Sequence, residues 1–156
     1  MTEDGLEDLI SFPNWSADGT FKVSPSIYYQ LYYIHIQEST FSIPRVFALL
    51  PGKTNETYVR LFTYLLQLRL QLNPKSLLTD FESGARKGSV EKFPEVTINS
   101  CHFHLSKSIL KKICDLGLRQ RYKEDEVFIL KIRCFPALSF FPLIDVVGGF
   151  IDLSEF

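Results

Sequence analysis

Two aspartates stand where a divalent cation or a phosphate-bearing substrate could meet the chain. Asp18 lies in Trp15-Ser16-Ala17-Asp18-Gly19-Thr20-Phe21, and Asp80 lies in Ser76-Leu77-Leu78-Thr79-Asp80-Phe81-Glu82-Ser83-Gly84-Ala85. Magnesium takes oxygen ligands and commonly binds only one or two carboxylates, with water and phosphate completing its octahedron. Two such ions can activate a nucleophile and stabilise the leaving oxygen of a phosphodiester. Carboxylates brought close together repel, and bound metal offsets that repulsion. Taken alone, Asp80 serves equally well as the cap of the helix that follows, because Asp is a favoured N-cap. Glu82 reads as an acid in the first helical turn, placed there by the helix dipole rather than as a ligand.

The elements that would position these acids follow from periodicity. Trp15, Ala17, Phe21 and Val23 alternate with Ser16, Asp18, Thr20 and Lys22, the period of a strand. Asp18 then lies on its polar face, and Gly19 permits close backbone approach. Ser24-Pro25-Ser26 turns the chain into Ile27 to Gln37, whose aromatic and β-branched run predicts a central strand with its tyrosines in the core. Phe41 to Leu50 is a third strand, and Pro44 within it predicts an edge position or a bulge. After Gly52, Tyr58, Leu61, Phe62, Leu65, Leu66 and Leu68 recur at helical spacing, with Thr54 or Asn55 as the cap. A strand over Leu77 to Asp80, a helix from Ser83 to Phe93, a strand from Val96 to Ser100 and a helix from Cys101 past Lys112 complete the pattern. The tail, Lys123 to Lys131 and Cys134 to Phe150, reads as helical or irregular.

Composition narrows the class. The 156 residues are enough for one domain with a core, and 46% hydrophobic with 22% charged residues excludes wholesale disorder. The 14 Phe and 7 Tyr suit a sheet-rich interior. A net charge of −1 gives no global field toward nucleic acid or anionic lipid, so any such contact needs a local patch. The basic concentration is Lys107, Lys111 and Lys112, joined by Arg119, Arg121 and Lys123; it reads equally as a phosphate patch or a solvated face. Three cysteines argue against a disulfide framework, and no apolar run reaches membrane-spanning length, so a soluble intracellular chain is expected. Cys101, His102, His104 and Cys114 match no standard zinc spacing, and Cys114 and Cys134 are expected to be core thiols.

Three antiparallel strands, then helix, strand, helix, strand, helix, is the element order of the ribonuclease H-like fold: α/β, with a mixed five-stranded sheet and flanking helices. In that fold strand 1 lies beside strand 4, which would bring Asp18 and Asp80 into one crevice.

The ordered set Trp15 to Phe21, Thr79-Asp80-Phe81-Glu82 with Ala85, Phe93-Pro94, and Cys101-His102-Phe103-His104 resembles the transposase domain of Mutator-like elements, the MULE family. Phe47-Ala48-Leu49-Leu50 followed by Lys53 to Tyr58 fits the same pattern, and the similarity runs from about Asn14 to Phe150. The resemblance implies a DDE-type transposase that cuts and rejoins DNA at transposon ends with Mg2+ or Mn2+, acting in the nucleus. By position, Asp18 resembles the first catalytic aspartate and Asp80 the second, and both would be metal ligands. Cys101 and His104 resemble the family's supporting Cys-x-x-His motif, and Lys107, Lys111 and Lys112 are candidate nucleic-acid contacts. The implied division is a leader over residues 1–13, the transposase core over 14–133, and the start of a helical insertion over 134–156. None of Asp145, Asp152 and Glu155 sits in a segment matching the family's third acid. The expectation is therefore a chain lacking that acid and inactive in strand transfer by itself. The alternative is a degenerate or domesticated binding module of the same fold; a ribonuclease or exonuclease of that fold would require more carboxylates.

Overall fold

The computed structural model describes residues 2–155 and divides the chain into two compact units, Met1–Cys101 and His102–Phe156. The first unit runs α1 (Glu3–Ser11), β1 (Asn14–Thr20), β2 (Gln30–Gln37), β3 (Ser42–Leu50), α2 (Asn55–Leu68), β4 (Ser76–Thr79), α3 (Ser83–Lys92) and β5 (Thr97–Ser100). Its five strands form one sheet in the order β3-β2-β1-β4-β5. β1, β2 and β3 pair antiparallel, and β4 joins β1 in parallel, followed by β5 in parallel. The expected meander and the expected β1–β4 adjacency are both present.

Strand parity sets the core. Trp15 and Ala17 of β1, Tyr32, Ile34 and Ile36 of β2, Val46 and Leu50 of β3, and Leu77 of β4 are buried in one cluster with Tyr58, Phe62 and Leu65 of α2. Phe93 stacks edge-on against Phe62 and against Trp15, with centroids 5.5 and 5.7 Å apart. Leu6 and Leu9 of α1 join the cluster, and the Trp15 indole N–H donates to the carbonyls of Leu9 and Phe12. Pro44 meets both of its expected fates. β3 is an edge strand, and the β2–β3 register slips between Ile34 and His35, opposite the proline.

α2 begins as its sequence dictates: the Thr54 hydroxyl accepts from the Thr57 N–H. α3 lies against it through glycine. A methyl carbon at Gly84 would stand 2.4 Å from the Lys53 carbonyl oxygen, and one at Gly88 would stand 2.8 Å from Tyr58 Cβ. Gly84 and Gly88 are four apart and so share one helix face, which lets the two backbones approach.

Two expectations fail here. The alternation through Phe21 and Val23 does not extend β1, which ends at Thr20, and both side chains are exposed. Ile27, Tyr28 and Tyr29 lie outside β2 and are also exposed, so only the later part of that aromatic run enters the core.

The second unit is helical, with α4 (His102–Asp115), α5 (Arg121–Glu124), α6 (Glu126–Ala137), a single 3-10 turn (Leu138–Phe140) and α7 (Val146–Glu155). Asp125 caps α6 by accepting from the Phe128 N–H, and this bond together with the Arg121 guanidinium holds its carboxyl below the usual range. Ile113 and Ile132 are buried. Cys114 is exposed and Cys134 half-buried, so neither is the core thiol expected of it: the apolar side of α4 is carried by Ile113. Among the described residues no helix is long and apolar enough to cross a membrane.

Candidate metal centre

β1 and β4 pair in parallel at Asn14 with Ser76, Trp15 with Leu77 and Ser16 with Leu78. Continuing that step along both chains sets Asp18 level with Asp80, at the carboxyl end of the strand pair, where open α/β sheets place their ligands. Each aspartate is half-buried and held by hydrogen bonds. Asp18 Oδ1 accepts from the Gly19 N–H at 2.8 Å, and its Oδ2 lies 3.4 Å from the hydroxyl of Tyr33, its cross-strand partner. Asp80 Oδ1 accepts from the Glu82 N–H at 2.9 Å, a turn made by an Asp side chain onto the backbone two residues ahead. Asp80 is therefore not the helix N-cap. Glu82 holds that position, and its side chain makes no cap bond.

Glu82 instead faces inward, where the sequence reading had made it only a helix-start acid. Its Oε1 accepts a short bond from the Tyr58 hydroxyl of α2. Burial pushes its carboxyl up, the charges of Asp80 and Asp18 push the same way, and the Tyr58 bond and Lys53 oppose them. Glu82 is thus near enough to feel both aspartates. Yet among the described residues no three His, Cys, Asp or Glu side chains converge closely enough to hold one ion.

On the core face of the sheet, opposite the face that Asp18 shares with Tyr33, lies a buried polar cluster. Gln30 is fully buried and donates from Nε2 to the Gly52 carbonyl at 3.0 Å and to the Tyr58 oxygen at 2.8 Å. Tyr32 and Thr79 are each 2% exposed. The Tyr32 phenol is pushed far up by burial and then by the charges of Asp80, Glu82 and Asp18, eased slightly by the nearby Thr79 hydroxyl. At hydrogen-bonding geometry, however, the Tyr32 hydroxyl, Thr79 Oγ1 and Gln30 Oε1 have no protein partner. Buried polar atoms in native proteins are satisfied by protein, water or ion. Asp18 and Asp80, level when the β1–β4 register is continued, offer the few carboxylate oxygens that a hydrated hard cation asks for. A groove of about 490 Å³ along α2, lined also by Leu50 and Pro51, contains none of the three carboxylates.

The remaining residues singled out from sequence are placed as follows. Cys101, half-buried, closes the first unit, its N–H donating to the Thr79 carbonyl at 2.9 Å and extending the β4–β5 ladder. His104 lies in the first turn of α4, its ring edge-on to Phe103. Lys107, Lys111 and Lys112 lie exposed on α4. Arg121 of the same basic concentration is engaged, paired with Asp125 at 3.1 Å and lying over the Phe128 ring. Sequence reasoning missed the buried polar cluster of Gln30, Tyr32, Tyr58 and Thr79. A lone glutamine opening an aromatic β-run was the signal for the first of them.

The family model for the MULE transposase domain matches residues 14–108, from the first residue of β1 into the first half of α4. A search of curated proteins finds no match. This match covers more than half of the chain, and the chain belongs to the MULE transposase domain family.

Proposed function

We propose that the chain carries the ribonuclease H-like core of a DDE-type transposase acting on DNA in the nucleus, with Asp18 and Asp80 holding Mg2+ or Mn2+. The observation that supports this reading is the parallel pairing of β1 with β4 through Ser16 and Leu78, each two residues before an aspartate. Bound there, the ions would activate an attacking hydroxyl and stabilise the leaving oxygen of a phosphodiester. The chain's own part is positional. The Gly19 N–H and the Tyr33 hydroxyl orient Asp18, and the Glu82 N–H orients Asp80, so each carboxylate is held before an ion arrives. Cys101 and His104 match the family's Cys-x-x-His motif, and Lys107, Lys111 and Lys112 contact DNA phosphates, a salt-dependent contribution that carries no sequence information.

A second reading, a metal- and DNA-binding module of the same fold without strand-transfer activity, is favoured by one observation. No third ligating side chain converges with the two aspartates among the described residues. One experiment addresses both readings. Calorimetric titration with Mg2+ or Mn2+ is expected to show binding that Asp18→Asn and Asp80→Asn each abolish. A nicking assay on DNA ends is expected to show no strand transfer by this chain alone. Robust cleavage lost in Asp80→Asn would overturn the inactive reading, and metal affinity untouched by either substitution would overturn both.

A further inference from the structure

The loop between β1 and β2 carries apolar side chains where turns usually carry polar ones. Residues 21–29 join the two strands, and Phe21, Val23, Ile27, Tyr28 and Tyr29 all stand exposed in it. Single apolar side chains on a surface are ordinary, but several gathered in one loop mark a contact. Resting on the reading that this domain acts on DNA, we propose that the loop is a platform for an unpaired nucleotide. The base lies against the rings of Phe21 and Tyr29, and the phosphate meets Lys53.

The rings are held in place before any ligand arrives. The Tyr29 N–H donates to the Leu50 carbonyl at the end of β3, at 2.9 Å, and the Tyr28 N–H donates to the Pro25 carbonyl at 2.9 Å. The Ser24 hydroxyl donates to the Tyr28 carbonyl at 3.3 Å. Phe21 lies edge-on to Tyr29, with centroids 5.3 Å apart and planes at 79°. Side chains already fixed by their neighbours lose little freedom on binding, which favours affinity.

A cation accompanies the rings. The Lys53 ammonium lies over the Tyr29 ring, 5.8 Å from its centroid, and Lys22 is exposed within the loop itself. A purely apolar partner would have no use for these charges. A nucleotide uses both features, because one sugar joins its flat base to its anionic phosphate.

The platform also stands at the acid end of the sheet. β1 ends at Thr20, just beyond Asp18, and Gln30 pairs with Leu50, so β2 begins and β3 ends at that edge. Burial raises the Glu82 carboxyl and the Lys53 ammonium works against it, so Lys53 lies within electrostatic reach of that acid. In a duplex each base face is covered by the next base pair. An exposed ring therefore finds a partner where a strand is unpaired, as at a frayed or cut end.

The test titrates the full chain against two labelled DNAs, a blunt duplex and the same duplex with a short single-stranded overhang, read by fluorescence anisotropy. The parent is expected to prefer the overhang about tenfold, the order of one stacked base. A 2-aminopurine in the overhang is expected to lose emission as it stacks. Phe21→Ala and Tyr29→Ala should each remove most of the preference and of the quenching. Phe21→Leu, which keeps apolar bulk without a ring face, should fail in the same way, whereas Phe21→Trp should keep both signals. Lys53→Gln should weaken overhang binding and reduce its salt slope by about one. Tyr64→Ala removes an exposed aromatic of α2 and is expected to change neither signal. If the parent binds both DNAs equally, or Phe21→Leu binds the overhang as the parent does, the platform fails and the DNA reading stands. If neither DNA binds, the DNA reading and the platform fail together. A dimer in sedimentation that Phe21→Ala dissociates, with the overhang preference unchanged, would make the loop an interface between copies and overturn the proposal.

Discussion

Gly84→Val is expected to lower the stability of the first unit by at least the upper end of the roughly 1–3 kcal/mol typical of overpacking. The atoms a Cβ would meet are the Lys53 carbonyl oxygen at 2.4 Å, the Thr54 carbonyl carbon at 3.1 Å and the Asn55 nitrogen at 3.3 Å. All three belong to the backbone at the start of α2, where no rotamer change can give way. Replacing a helical glycine normally gains up to about 1 kcal/mol in propensity, so the clash opposes a gain and must exceed it. It does, because relief requires one helix to slide along the other and drag Tyr58 away from Glu82. Gly52→Ala is the matched comparison: its Cβ meets only Thr57 Oγ1 at 3.7 Å, an ordinary contact, and the Gly52 carbonyl that receives Gln30 is retained. Denaturant unfolding followed by the emission of Trp15, the chain's single tryptophan, measures both variants. A midpoint for Gly84→Val equal to that of Gly52→Ala would show that α3 does not depend on the close approach.

Phe62→Ala should cost about 3–5 kcal/mol, the range for removing a buried aromatic. Phe62 is 0% exposed, and through Phe93 it is two ring contacts from the Trp15 indole. The loss combines the transfer energy of the ring, the cavity left behind and the edge-on contact to Phe93. Against a typical total of about 5–15 kcal/mol, that is a large share of what holds a domain folded. Phe62→Leu keeps most of the volume and should cost less. The readout is the unfolding midpoint together with the near-ultraviolet circular dichroism of Trp15, which should weaken even in the absence of denaturant. An unchanged midpoint would place the centre of the core elsewhere.

Much of the scaffold was legible because its signals are local. Thr54 before a helical period, Pro44 inside a strand pattern and Asn73-Pro74 after Leu72 act on their own neighbours, and each did in the structure what it does in a peptide. The β1–β4 adjacency was expected because the order of elements is that of a known fold, not from periodicity itself. The site was readable only in part. Asp18 and Asp80 stand out as acids beside strand patterns, but Glu82 acquires its role from Tyr58, 24 residues earlier, across a helix contact that periodicity does not encode. Gly84 and Gly88 looked like weak helix residues, and their use is to let a neighbouring backbone in. Phe21 and Val23 erred the other way: alternation continued in the text after the ladder of hydrogen bonds had ended.

The glycine contact between α2 and α3 also bears on how the domain breathes. Two helices whose main chains touch cannot open one at a time without leaving that seam empty. Their amides should therefore exchange with solvent deuterium as one cooperative block, protected to a common free energy. The acids at the end of β4 would then be gated by the opening of a helix pair rather than by the fraying of a single turn.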